Sequence, residues 1–259
     1  MSENRKPIAI IGAGLAGLTA ARYLYDRAVP FVLFEAGKKI AGLAASFKDE
    51  EGFSYDFGAH FVTNRLADAI GVGGECLTVK HYGEAVYLSG KVYSYPFGLV
   101  KVPRMTLSAI KTKLSGNGHK PESAAEWFRK SYGSALADEV ALPLIEAWSG
   151  ASANDLSAAV GESLPGSIAK TLYLKAASKV TGRAVACGYN REKPESAAVY
   201  HVYPEKGVST LCEKLAAGLT DHIKLETPVE EILVEDEKVI ALVAKDERYE
   251  VSAVVSTAP

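Results

Sequence analysis

Apolar residues fall into short unbroken runs near both ends of the chain and into spaced, helix-like sets between them. Ile8 to Ile11 is an apolar run closed by a glycine, the pattern of a strand buried on both faces of a parallel sheet. Leu15 to Asp26 carries Leu18, Ala21 and Tyr25 at helical spacing, and Pro30 to Phe34 is a second apolar run ending on Glu35. Together they make a strand, helix, strand unit of about 30 residues. Ala41 to His60, rich in Gly and Ala with scattered aromatics, reads as a winding loop with short strands. Val86 to Leu88 and Val92 to Tyr95 flank Ser89-Gly90-Lys91, a hairpin signature.

From Val100 to about Tyr189 the pattern becomes helical. It predicts helices over Thr106 to Leu114, Ser123 to Tyr132, Ser134 to Trp148 and Ser167 to Val180, with Pro143 ending or kinking the third. Val199 to Val202 then reads as a strand and Val208 to Leu219 as a helix. Three further apolar runs, Val229 to Val234, Val239 to Val243 and Val251 to Val255, read as an antiparallel meander. Its turns would be Asp236-Glu237-Lys238 and Asp246-Glu247-Arg248. The fold class is α/β: a Rossmann-like domain, built from a parallel sheet plus a small antiparallel β-meander, enclosing a mainly helical insertion. The expected boundaries are 1–80 with 203–259 for the first domain and 81–202 for the insertion.

Gly12-Ala13-Gly14-Leu15-Ala16-Gly17 is a GxGxxG motif that follows an apolar strand and opens a helix. An acid, Glu35, stands 18 residues beyond Gly17 at the end of the next strand. In that context the motif points to a dinucleotide. Gly12 allows the tight turn, Gly14 lets backbone approach a pyrophosphate, and Gly17 lets helix pack closely on strand. The free N–H groups and positive end of the helix then face the pyrophosphate. Glu35 would accept hydrogen bonds from the ribose hydroxyls and repel a 2′-phosphate, which favours FAD or NAD over NADP.

The run Glu35-Ala36-Gly37-Lys38-Lys39-Ile40-Ala41-Gly42-Leu43-Ala44-Ala45-Ser46-Phe47 resembles the second signature of the flavin-containing amine oxidase and protoporphyrinogen oxidase superfamily. There a Gly-Gly pair follows the ribose-binding Glu; here Ala41 replaces the first glycine, and Leu43 stands where many members carry Arg. Gly52-Phe53-Ser54-Tyr55-Asp56-Phe57-Gly58-Ala59-His60-Phe61 is similar to a segment that runs past the flavin ring in that family. Trp148-Ser149-Gly150-Ala151 through Pro165, and Tyr203-Pro204 with Gly207 and Leu211, also match in order and spacing. Thr227-Pro228-Val229 resembles the strand whose valine backbone bonds adenine, and Val254-Val255-Ser256-Thr257-Ala258-Pro259 the strand end that closes over the cofactor.

The resemblance implies an FAD site lined by Gly12, Ala13, Gly14, Leu15, Ala16, Gly17, Glu35, Ala36, Lys39, Gly42, Leu43, Ala44, Gly58, Ala59, His60, Val229, Thr257 and Ala258. It implies an oxidoreductase in which the flavin takes a hydride from substrate, so that no catalytic dyad stands out and no catalytic residue is assigned. His60 serves equally as a loop-propping histidine. Three alternatives stay open: an isomerase resembling UDP-galactopyranose mutase, suggested by Gly58-x-His60 and by Tyr95-Pro96-Phe97, with Arg104 and Arg183 as candidate diphosphate partners; a non-catalytic FAD-binding fragment; and a nicotinamide-dependent dehydrogenase.

Composition narrows the partners. The 259 residues hold 29 Lys and Arg against 31 Asp and Glu, a formal net charge of −2, without the positive field of a nucleic-acid binder. Cys76, Cys187 and Cys212 are odd in number and widely spaced, which argues against a disulfide scaffold and against a metal site. The uncharged stretch from Ile8 to Ala21 imitates a signal peptide, but its three glycines fit the nucleotide motif better. No segment is long and apolar enough for a membrane span, so a cytoplasmic protein is expected. Positive charge concentrates in the insertion: Lys101, Arg104, Lys111, Lys113, Lys120, Arg129 and Lys130, then Lys170, Lys175, Lys179, Arg183, Arg191 and Lys193. This suits an anionic or apolar small-molecule substrate, peripheral contact with an anionic membrane, or plain solvated helix faces. Tyr82, Tyr87, Tyr93, Tyr95 and Phe97 suit either a substrate cavity or a core. Set beside the family pattern, 259 residues imply a missing C-terminal part of the fold or a divergent minimal relative with an open flavin site, and in either case an apolar end partly exposed or covered by a partner copy.

Overall fold

The computed structural model describes residues 6–58, 61–81, 84–88, 90–95, 97–115, 119–162, 168–186 and 198–258. The chain divides into two compact units, Met1–Val79 with Tyr200–Pro259, and Lys80–Val199. The first unit opens with β1 (Ile8–Ile11), α1 (Leu15–Tyr25) and β2 (Phe31–Phe34), as the apolar pattern predicts. It continues through β3 (Ser46–Lys48), β4 (Ser54–Asp56), β5 (Val62–Thr63), α2 (Asn64–Ile70) and β6 (Cys76–Thr78). The second unit holds β7 (Glu84–Leu88), β8 (Lys91–Tyr95), α3 (Pro103–Leu114), α4 (Ala124–Tyr132), α5 (Ser134–Leu136), α6 (Leu142–Ser149), α7 (Ala159–Glu162) and α8 (Ile168–Thr181). The chain then returns to the first unit as β9 (His201–Pro204), α9 (Ser209–Ala216), β10 (Ile223–Lys224), β11 (Val229–Glu235), β12 (Lys238–Ala244), β13 (Glu247–Glu250) and β14 (Ala253–Ser256).

The first unit is organised by a parallel sheet of order β10-β2-β1-β14. In register, Ile8 lies opposite both Phe31 and Ala253. Strand side chains alternate between faces, and here both faces are apolar. Ile10, Phe31 and Leu33 pack with Leu18 and Ala21 of α1 and Leu211 and Leu215 of α9. Ala9 and Phe34 face the other way, against Leu242, Ala244 and Val251. The sheet is therefore a middle layer, with helices on one face and the β11–β12–β13 meander on the other. Arg22 closes the helical layer, its guanidinium donating to the Leu215 carbonyl at 2.9 and 3.1 Å and to that of Ala217, where α9 ends with unpaired carbonyls.

The expected composition of the meander needs correction. Val251 to Val255 is not its third strand: β14 leaves the meander and pairs parallel with β1. The third strand is β13, which takes in Glu247 and Arg248 of the expected Asp246-Glu247-Arg248 turn. Both hairpin turns are only two residues long, Asp236-Glu237 at φ 48° and 62° and Lys245-Asp246 at 50° and 61°, the paired left-handed geometry that matches strand twist. So short a turn leaves Glu247 to Glu250 free to pair. One aromatic anchors them: Tyr249 lies opposite Leu242 and meets the Phe34 ring edge-on at 5.0 Å.

Pro143 does not end its helix. Helical structure runs from Ser134 to Ser149, with a π turn over Ala137–Ala141 just ahead of the proline in the first turn of α6. Proline has no N–H and its ring crowds the carbonyl four residues back, and a locally wider turn accommodates both. In the same unit, Gly133 brings the α4–α5 turn onto α3. A Cβ there would lie 2.7 Å from the Ala109 nitrogen. The Ala135 N–H donates to Ser108 Oγ at 3.1 Å.

If Glu247 to Glu250 is a packed strand rather than a turn, Tyr249→Ala costs about 2 kcal/mol of unfolding free energy. Arg248→Ala, on the exposed side, costs under about 0.5 to 1 kcal/mol. Urea denaturation of the two variants checks the difference, and equal effects would return this segment to a loop.

Candidate functional site

The C-terminal ends of β1, β2 and β14 lie side by side, the edge at which open parallel sheets bind ligands. Three glycines shape it in three different ways. Gly12 adopts φ +98°, where a side chain is strained, and a Cβ on it would sit 2.8 Å from Thr257 Oγ1. A Cβ on Gly17 would sit 1.9 Å from the Gly12 carbonyl oxygen, so α1 reaches this depth only with glycine there. A Cβ on Gly14 would meet nothing within 4 Å. Space is thus held open at one glycine and filled by protein at the other two.

That open position is the N-cap of α1. Gly14 provides no side-chain cap, and the first turn carries no acidic residue. Among the described residues no side chain caps the helix's first N–H groups, and an anion is what they and the helix dipole favour. Ser or Asp at the cap would have placed its own oxygen there.

Glu35 stands at the end of β2 and is drawn into the turn. One carboxylate oxygen accepts from the Ala13 N–H at 2.7 Å and the other from the Gly37 N–H at 2.8 Å. Its own carbonyl accepts from Thr227 N–H at 2.8 Å, which sets the approach to Val229 and β11 two residues on. From the opposite side Thr257 caps the turn, its hydroxyl and its amide both donating to the Ile11 carbonyl, at 2.8 and 2.9 Å.

The second signature runs alongside. The Ala41 N–H donates to the Ala13 carbonyl at 2.8 Å, and a Cβ on Gly42 would lie 3.5 Å from the Cα of Gly14. Leu43 is 72% exposed next to this contact. Gly58 sits against Leu43, whose carbonyl oxygen would be 2.9 Å from a Cβ at that glycine. The missing side chain at Gly58 therefore makes room for the Leu43 backbone.

Of the expected site residues, Gly12, Ala13, Gly14, Gly17, Glu35, Gly42 and Thr257 come together, with Leu15 and Ala16 in the first turn of α1 and Ala258 next to Thr257. Ala36 and Lys39 are exposed beyond Glu35. Ala44 is buried in the core, and Val229 lies on β11. Ala59 and His60 lie outside the described residues, as do Tyr82, Pro96, Pro165 and Cys187. Among the described residues no cluster of His, Cys, Asp and Glu could hold a metal ion. Arg104, an expected diphosphate partner, pairs with Glu139.

One group was missed by the sequence reading. Asp56 Oδ1 accepts from Ser46 Oγ at 2.5 Å and from the Val208 N–H at 3.0 Å, and its Oδ2 from the Tyr203 hydroxyl at 2.7 Å. Ser46 Oγ in turn accepts from the Ser209 N–H at 3.0 Å. The returning segment at the head of α9 is thus bolted to the β3–β4 hairpin that follows Gly42. Burial and the neighbouring Asp56 carboxylate push the Tyr203 hydroxyl up to about 12. An aspartate two residues before a glycine was the only signal in the sequence.

The fold and this glycine turn define a dinucleotide-binding α/β protein. A family model for an NAD(P)-binding Rossmann-like domain matches residues 10–70, and one for flavin containing amine oxidoreductase matches residues 90–259. The chain belongs to the flavin containing amine oxidoreductase family. It is 43% identical over 53 residues to a 15-cis-phytoene desaturase of Synechococcus elongatus, a match covering 20% of this chain and 11% of the relative. Its structure resembles reduced UDP-galactopyranose mutase (TM-score 0.73, 18% identity, 98% of this chain and 56% of that one). It also resembles a putative protoporphyrinogen oxidase from Exiguobacterium sp. 255-15 (TM-score 0.64, 20% identity, 98% and 59%). The chain spans little more than half the length of these two structures.

Two predictions follow from this geometry. Gly14→Ala should melt within about 2 °C of the parent, since its Cβ enters open space. Gly17→Ala should destabilise by at least about 3 kcal/mol because α1 must shift away from β1. Calorimetry of the pair checks this; comparable losses would mean that Gly14 is also packed against protein. The second concerns pH. Tyr203 titrates near 10 when unfolded and at about 12 when folded, so its contribution to stability is complete below pH 10 and disappears as pH rises towards 12. Urea midpoints measured from pH 9 to 12 should fall less steeply in Tyr203→Phe than in the parent, and parallel curves would remove Tyr203 from the linkage.

Proposed function

We propose that the crevice at the ends of β1, β2 and β14 binds FAD and that the chain forms the cofactor-binding part of a flavin-dependent oxidoreductase. The observation that carries this reading is the unfilled space at Gly14 in front of an uncapped, acid-free helix start, with Glu35 beside it. The residues fit the group. Amides of Leu15, Ala16 and Gly17 would hold the diphosphate, and Glu35, with lone pairs left after its two amide contacts, would take the ribose hydroxyls. Thr257 and Ala258 would close the turn from the β14 side, and the Val229 backbone would meet the adenine. Bound there, the flavin supplies hydride acceptance; the protein orients it and keeps water away. Family membership favours FAD over NAD, and the charge of Glu35 disfavours NADP.

Protoporphyrinogen oxidase-like chemistry, with hydride removed from a C–H bond beside nitrogen or within a conjugated system, is the finer form of the proposal. The mutase alternative loses one of its supports, because the Arg104 guanidinium is engaged by Glu139.

Purified chain incubated with FAD and desalted should show the two visible flavin bands, and titration should give an affinity that Glu35→Ala lowers at least about tenfold, a loss of about 1.4 kcal/mol. NADP should not compete. A parent chain that retains no flavin, or a Glu35→Ala variant that binds as tightly, would overturn the assignment. Anaerobic reduction by amine, porphyrinogen or polyene donors separates the oxidase reading from turnover of a nucleotide sugar by reduced flavin.

A further inference from the structure

Helix α3 carries an apolar face that its own unit leaves uncovered. Its inner side is accounted for: Met105 is buried with Leu99 and Val140, and the Gly133 turn lies on the backbone of Ser108 and Ala109. On the outer side Pro103, Leu107, Ile110 and Leu114 recur at helical spacing and share one face. Leu107, Ile110 and Leu114 are 66%, 50% and 82% exposed. A stripe of large side chains left in water along a helix of about 18 Å marks a surface that meets something apolar.

Its flanks say what that is. Arg104 and Lys111 border the stripe on one side and Lys113 on the other, with Lys101 just ahead of the helix. Between Ala85 and Pro121 the sequence has six basic residues and no acidic one. The carboxylates on the neighbouring helical segments are engaged. Glu139 pairs with Arg104, Asp138 with Arg129 at 2.8 Å, and Glu126 accepts from the Glu122 N–H at 3.0 Å. Lys101, Lys111 and Lys113 have no carboxylate partner among the described residues. Two copies facing each other through α3 would oppose these same cations, so charge disfavours a symmetric pairing. A helix with an apolar stripe between cationic edges fits the plane of an anionic bilayer, with leucine and isoleucine among the acyl chains and lysine at the headgroups.

We propose that α3 is a membrane-surface docking helix that seats Leu107, Ile110 and Leu114 in an anionic lipid leaflet. Among the described residues no helix is long and apolar enough to cross a membrane, so the contact is peripheral. It does not depend on the flavin assignment and can be tested apart from it.

The full chain should co-sediment with vesicles containing phosphatidylserine and stay in the supernatant with pure phosphatidylcholine, and binding should fall as salt is raised. Leu107→Gln combined with Leu114→Gln should weaken binding to the anionic vesicles at least about tenfold. Lys111→Glu with Lys113→Glu should weaken it comparably. Melting temperatures of both variants should match the parent, because the residues are exposed. Ile232→Gln, an exposed apolar position in the other unit, should bind as the parent does. The proposal is overturned if the chain ignores anionic vesicles or if the leucine pair is without effect. It is equally overturned if light scattering shows a dimer that the leucine substitutions dissociate while vesicle binding is unchanged.

Discussion

The depth at which α1 sits against the end of β1 is the constraint from which the rest of the first unit follows. The Gly12 carbonyl occupies the place where a side chain of residue 17 would be, so helix and strand are locked at backbone contact. This closeness aims the first turn of α1 along the sheet edge, where Glu35 and Thr257 arrive from the strands on either side. A helix held one side chain further out would leave its free N–H groups away from the line joining those two residues. The candidate site is therefore less a set of ligand-seeking side chains than a consequence of backbone packing, with one carboxylate added.

Such packing must be supported from both faces, and strand alternation provides this. Ile10 and Leu33 turn towards the helices while Ala9 and Phe34 turn towards the meander, so neither layer can slip without uncovering apolar surface from the other side of the sheet. The Asp56 network contributes a polar fastening of a different kind. It joins three segments separated by as many as 163 residues, Ser46, Asp56 and the stretch from Tyr203 to Ser209. A half-buried carboxylate held by three hydrogen bonds is costly to disturb, which fixes the junction beside the second signature.

What was legible in the sequence was local. The strand, helix, strand opening, the tight turn at Gly12 and the close helix packing at Gly17 follow from patterns within a few residues of one another, and the structure reproduces them. What was not legible depended on partners far along the chain. Val251 to Val255 is as apolar as a meander strand, and only pairing with β1 tells the two apart. Asp246 to Arg248 looks like a turn, and the strand that begins at Glu247 offers only one core-facing residue, Tyr249, to announce it. Pro143 is tolerated through a π turn that no residue periodicity announces. Asp56 looks like one acid in a loop until β3, β9 and the residue ahead of α9 each bring a donor to it.

Ala41 bears on whether departures from the family pattern weaken the site. It stands where relatives of this kind have glycine, and its φ of +93° is a conformation that glycine adopts freely and alanine does not. Holding alanine there costs about 1 to 2 kcal/mol. Its methyl group is buried to 3% exposure within the main core cluster, and burying one such carbon returns about 0.8 kcal/mol. The burial offsets part of the cost, and the observed backbone keeps the left-handed conformation despite the side chain. The path is what matters at this position, since the Ala41 amide is bonded to the Ala13 carbonyl and the next residue lies against Gly14. A lost glycine whose conformation is kept leaves the space at Gly14 open, and the site survives the exchange.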